Sequence, residues 1–278
     1  MKILRTICST TVLVVALLLP VAARAQQPLP AEGNESQLLV ILNSDAELFA
    51  KAKACQRLAI IGTSKSVPVI AQFLADPVLS HYARFALEAN PSPEVDKVFR
   101  GSLSELKGRQ LVGVINSIAT RKDTQSVPSL LLLAAGDNIE VAAAALSALG
   151  MLATAESINA VEQALAQKPA LRVTAADACL TAADQLLVDG KNAAALRILT
   201  ALRKADLPKH INVASRLGEI RAGSQNVNEL MNSYLQDQDP ALFRIGLELA
   251  QHLTDAETTV QLLKQLEAMP PTRQVLLM

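Results

Sequence analysis

Seven times along this chain an eight-residue stretch carries mostly apolar residues at i, i+3 and i+7, starting at residues 67, 95, 127, 158, 195, 227 and 259. Successive starts lie 28, 32, 31, 37, 32 and 32 residues apart. Spacing of three and four places a stripe on one side of a helix, where a strand would alternate every second residue. "VPVIAQFL" from Val67, "VPSLLLLA" from Val127, "INAVEQAL" from Ile158, "ALRILTAL" from Ala195 and "VNELMNSY" from Val227 are the clearer copies; those at Val95 and Thr259 are weaker. A period near 32 residues is long enough for two helices and a turn. Internal repetition of this length is the mark of a stacked array.

A second apolar helix precedes each stripe: "CQRLAIIG", "ARFALEAN", "LVGVINSIAT", "ALSALGML", "DACLTAADQLL", "VASRLGEI" and "LFRIGLELAQHL". Short polar turns such as "GTSKS", "RKDTQS" and "TDAE" separate the members of a pair. Pro68 and Pro128 fall in the first turn of a second helix, where a missing N–H costs little. Gly62 and Gly150 stand where a left-handed C-cap is expected. Asp76-Pro77 and Asp239-Pro240 punctuate the joins between units.

Each unit therefore reads as a hairpin with a face too apolar to stand alone, which stacking against neighbours would cover. The expected fold is all-α, an α-solenoid of about seven helical hairpins. A coiled coil needs long unbroken heptads, and Gly and Pro interrupt them here. Composition agrees: aromatics are 3% of the chain and Trp is absent, so the core must be Ala, Leu, Val and Ile, which suits closely approaching helices.

Residues 1–25 read as a signal peptide. Lys2 and Arg5 precede the apolar run "VLVVALLLP", and "ARA" ends at Ala25 with small residues at −3 and −1. Pro20 breaks the run before it reaches the length of a membrane span, so no span is expected after cleavage. Localisation is then periplasmic or extracellular. Cys8 lies too early to carry a lipid after cleavage. The mature chain has 23 basic and 26 acidic residues, with no basic excess to grip nucleic acid. Cys55 and Cys179, far apart in sequence, read as small buried hydrophobes.

The pattern "EVAAAALSALG…AESINAVEQAL", with "GTSKSVPVIAQFLAD" and "TQSVPSLLLLAAGD", resembles HEAT repeats, especially the phycobilisome-lyase HEAT-like type. The resemblance covers residues 44–278, about seven units. It implies the solenoid fold and leaves function open, because such repeats serve many unrelated partners. "LSHYARFALEANP" with "LKGRQLVGVINSIATRKD" is also similar to exported bacterial HEAT-repeat proteins, some of which carry further domains. Iron-binding HEAT-like hydroxylases use His-Glu dipeptides; here the histidines precede Tyr82, Ile211 and Leu253, which argues against that activity. Bilin-lyase activity has no motif to attach to.

Residues 26–35 form a polar lead expected to be disordered, and residues 36–278 the repeat domain. "SQLLVILN" from Ser36 is expected to be a short helix capping the first repeat, with Asn43 or Ser44 capping the next helix. At the other end, "PTRQVLLM" aligns with the opening of a further first helix, "PALFRIGL", so the array is expected to be cut within its next repeat.

No HxxxH, HExxH, CxxC, G-x-S-x-G, Walker or dinucleotide motif occurs, so no catalytic, cofactor or metal site is expected. His81, Arg84 and Glu88 share helical spacing; they read as a solvated or inter-repeat face, or as a small polar recognition spot. HEAT second helices usually line the concave side. Position i+5 of each stripe would then face the groove: Gln72, Arg100, Leu132, Gln163, Thr200, Asn232 and Lys264, with Lys97, Arg197, Glu229 and Gln261 at i+2. This ladder lacks the aromatic anchors of tight interfaces. The expected function is an exported, non-catalytic scaffold for an unidentified protein partner. The alternative is the N-terminal repeat region of a larger exported enzyme or haem protein whose catalytic domain lies beyond residue 278.

Overall fold

A computed structural model describes residues 34–223, 227–252 and 256–277. Among these, the chain is entirely helical, without strands. The signal-peptide reading and most of the polar lead lie outside the described residues.

The helices are α1 (Glu35–Asn43), α2 (Leu48–Ile61), α3 (Val67–Ala71), α4 (Ser80–Ala89), α5 (Glu94–Glu105), α6 (Gly108–Thr120), α7 (Val127–Ala135) and α8 (Ile139–Leu152). They continue as α9 (Ala155–Gln167), α10 (Arg172–Val188), α11 (Asn192–Lys204), α12 (Lys209–Arg221), α13 (Val227–Gln236), α14 (Pro240–His252), α15 (Ala256–Ala268) and α16 (Pro271–Leu277). All seven stripes fall on odd-numbered helices, α3 to α15, and the seven preceding apolar segments on even-numbered ones, α2 to α14.

Local chemistry sets the starts. Asn34 forms a capping box with Gln37, so α1 begins at Glu35, and residues 34 and 35 belong to the fold rather than to a disordered lead. Asn138 and Thr154 accept from the backbone N–H groups of Val141 and Ser157, capping α8 and α9. Pro68 and Pro128 sit in the first turns of α3 and α7, as their spacing predicts. Asp76 Oδ1 accepts from the N–H groups of Val78 and Leu79, which turns the chain from α3 into α4.

Three local expectations are corrected. Gly62 ends α2 in an extended conformation (φ −65°), and a Cβ there would strike the Leu58 carbonyl oxygen. Gly150 lies inside α8, whose left-handed cap is Ala153 (φ 49°). Glycine at 150 serves close helix approach, which demands the same missing Cβ as a left-handed turn. Ser44 closes α1 by donating to the Ile41 carbonyl, and α2 starts only after Glu47.

Three of the stripes are buried at every position. Val67, Ile70 and Leu74, Val127, Leu130 and Ala134, and Ala195, Ile198 and Leu202 all belong to the core. Each fully buried Leu or Ile gains about 2 kcal/mol. Ordering one backbone residue costs about 1–2 kcal/mol, so three such residues cannot hold a hairpin of some thirty. Neighbours must supply the rest. The principal contacts join each odd-numbered helix to the even-numbered helix after it, from α1 with α2 to α15 with α16; of the seven pairs expected from the sequence, each stripe with the helix before it, only α8 with α9 and α10 with α11 are among them. Helices two apart also meet: α2 with α4, α4 with α6, α6 with α8, α8 with α10, α10 with α12 and α12 with α14 on one side, and α1 with α3, α3 with α5 and α7 with α9 on the other.

Polar bonds link the turns in the same order. Glu35 Oε1 accepts from the Thr63 N–H at 2.7 Å, and the Thr63 carbonyl accepts from Asn90 Nδ2 at 2.9 Å. The Asn90 carbonyl accepts from Arg121 Nη1 at 2.6 Å. Lys168 Nζ donates to the Ala134 carbonyl, and Arg273 Nη1 to the Asp237 carbonyl. These five bonds join residues 27 to 36 apart, about one period.

Candidate functional site

The ladder residues sit on six helices, with Gln72 just past the end of α3, and the structure divides them by what they touch. Gln72, Leu132, Gln163 and Lys264 are exposed, Leu132 at 76%. Lys97 is exposed and pairs within α5 with Glu94 at 2.8 Å. Arg100 is turned inward, where Nη1 donates to Asp123 Oδ2 at 2.6 Å across the following hairpin. Arg197 on α11 pairs with Glu162 on α9 at 2.7 Å, so it ties two second helices together. Thr200 donates to Glu219, and Asn232 is half-buried. Glu229 is exposed, and the side chain of Gln261 lies outside the described residues.

The "SHYAR" cluster separates in a similar way. Glu88 Oε1 accepts from Ser117 Oγ at 2.5 Å, and Arg84 Nη1 donates to the Gly113 carbonyl at 3.3 Å, both across the α4–α6 contact. Gly113 provides the room: a Cβ there would stand 2.5 Å from Arg84 Nε. His81 takes no part; it is exposed, edge-on to Tyr82.

A different cluster forms where α11, α12 and α13 meet α14. Glu219, buried on α12, accepts from Thr200 Oγ1 at 2.8 Å and from Arg203 Nε at 3.1 Å. Burying a carboxylate is costly unless it is paired, and these two bonds provide the pairing. Arg216, one turn before Glu219, lies over the ring of buried Tyr234, 5.0 Å from its centroid. Burial pushes the Tyr234 phenol above its ordinary value, partly offset by the Arg216 guanidinium.

Above this layer opens a groove of about 410 Å³. Arg203, Lys209 and Arg216 reach it, together with Asp239, which holds Lys209 Nζ at 2.8 Å. Among the described residues, no carboxylate pairs with Arg216. The one-period ladder includes Thr200 but misses the rest of this cluster, because Arg203, Arg216 and Glu219 lie off its positions and Tyr234 is the last residue of a stripe expected to face the core. The signal that was present is the local density of base in "LRKADLPKH", ahead of Arg216.

Among the described residues, no group of three or more His, Cys, Asp or Glu is placed to hold a metal ion, and no helix is long and apolar enough to cross a membrane. Cys55 and Cys179 are free thiols buried in the core. Compared with protein-family models and with curated proteins, the chain matches none. Among the described residues it is an all-helical protein whose helices pack against their neighbours in the chain.

Proposed function

We propose that this chain is an exported α-solenoid of about seven HEAT-like hairpins, acting as a non-catalytic protein-interaction scaffold. The register of its inter-unit bonds carries the reading. Glu35–Thr63, Thr63–Asn90, Asn90–Arg121 and Lys168–Ala134 each step by about one period along the chain. A closed bundle would tie early helices to late ones; here the principal contacts stay within one or two helices. The signal-like pattern of residues 1–25 supports export, and the absence of a recognisable catalytic motif supports a binding role.

The binding face is assigned to the exposed part of the ladder, Gln72, Leu132, Gln163 and Lys264, with Arg100 and Arg197 serving as braces. Capture of partners from a periplasmic extract tests it. Leu132→Asp is expected to abolish a specific partner while leaving the melting temperature unchanged, because exposed changes usually stay within about 0.5 kcal/mol. Captured proteins indifferent to Leu132→Asp and to Gln163→Glu contradict this face. N-terminal sequencing of the exported protein is expected to begin at Gln26; a retained Met1 contradicts export.

A further inference from the structure

We propose that the groove bounded by Arg203, Lys209 and Arg216 binds a carboxylate side chain from an acidic peptide segment. The inference rests on the scaffold reading for the idea that a partner's chain supplies the ligand; the site itself follows from charge and shape.

Three cations reach the groove, and two are already answered: Arg203 by Glu219 at 3.1 Å and Lys209 by Asp239 at 2.8 Å. Among the described residues, Arg216 is left as the positive charge without a carboxylate. Its guanidinium is held over Tyr234, so the fork is partly oriented before a ligand arrives. A planar guanidinium matches a carboxylate through two parallel N–H donors. Phosphate offers similar oxygens, but it brings nearly two negative charges beside Glu219 and Asp239, with one unanswered cation to meet them. A single carboxylate fits the balance better. Leu207 and Leu242 give the groove an apolar wall suited to the methylenes of Glu, and its volume lies within the range of small-ligand sites.

The test is fluorescence anisotropy of a labelled hexaglutamate peptide at low ionic strength, with protein spanning residues 26–278. Binding is expected to weaken at least tenfold in Arg216→Gln and about threefold in Lys209→Gln, and to remain unchanged in Arg109→Gln, an exposed cation far from the groove. Asp239→Asn is expected to tighten binding at least twofold by releasing Lys209, a gain that a merely damaged fold would not give. Absence of binding, equal binding by all variants, or displacement of the peptide by equimolar inorganic phosphate would overturn the proposal. Solution scattering tests the array separately, so an elongated particle that ignores hexaglutamate defeats this inference alone.

Discussion

A Cβ placed on Gly150 would stand 2.5 Å from the carbonyl oxygen of Ala178, so α8 and α10 meet there backbone to backbone. The alanines around the contact, Ala142, Ala145, Ala175 and Ala182, are fully buried. The low aromatic content of the chain has its structural counterpart here: large side chains would hold these helices apart.

Gly150→Ala tests the contact. Removing a mid-helix glycine gains about 1 kcal/mol in helix propensity. Overpacking against a backbone atom that cannot rotate away costs about 1–3 kcal/mol, and the cost is expected to win. Gly101→Ala is the matched control, since nothing lies within 4 Å of its added Cβ in the exposed part of α5. Thermal denaturation should show the first variant less stable and the second more stable than the parent. Two stabilised variants would remove the close approach from the account.

Arg121 is expected to be the most sensitive brace. Its Nη1 donates to the carbonyls of Glu88 and Asn90 at 3.1 and 2.6 Å, and its Nε to Asp96 at 2.5 Å. The side chain is 12% exposed, so removing it strands acceptors that water reaches poorly. Arg121→Met should cost about 3 kcal/mol in urea denaturation. Arg121→Lys should recover little, because one ammonium cannot satisfy several diverging acceptors. Full stability in the Lys variant would show that charge alone suffices.

Burial pushes the Cys55 thiol up to about 11 and the Cys179 thiol up to about 12. Thiolate is the reactive form, so in protein spanning residues 26–278 neither should react with a thiol reagent at neutral pH until the fold opens. Both values are raised above the unfolded one, so their contribution to stability is complete below about pH 8.5. It declines as pH rises through 9 toward 11 and 12. Melting temperatures should fall across that range, and less steeply in a Cys55→Ala, Cys179→Ala double variant. Rapid native labelling at neutral pH would contradict the burial.

The helices were legible because helix period and unit period act together: Val67, Ile70 and Leu74 announce α3 even though its regular part ends at Ala71. Their pairing was not, because a stripe shows which face is buried and not whether the helix before or the helix after covers it. Gly150 was misread because a left-handed turn and a close helix contact both select for a missing Cβ. Only the position of Ala178, one unit later, separates them. The line from Glu35 through Thr63 and Asn90 to Arg121 was hidden for a related reason, since polar residues at helix ends ordinarily serve their own turn. Arg100 and Arg197 were placed on the binding ladder by helical phase, which gives direction from the axis but not the carboxylate waiting on the next element. The groove at Arg216 was invisible to a one-period reading, because Arg203, Lys209, Arg216 and Asp239 lie off both the stripe and the ladder positions and come from different elements.

The central claim is that paired helices shelter their apolar faces by stacking in sequence order, and small-angle X-ray scattering of residues 26–278 tests it most directly. A compact domain of this length has a radius of gyration of about 18 Å. Layers of helices spaced about 9 Å apart in a row predict an elongated particle, with a radius of gyration above about 20 Å and a skewed distance distribution. A value near 18 Å with a symmetric distribution would contradict the array.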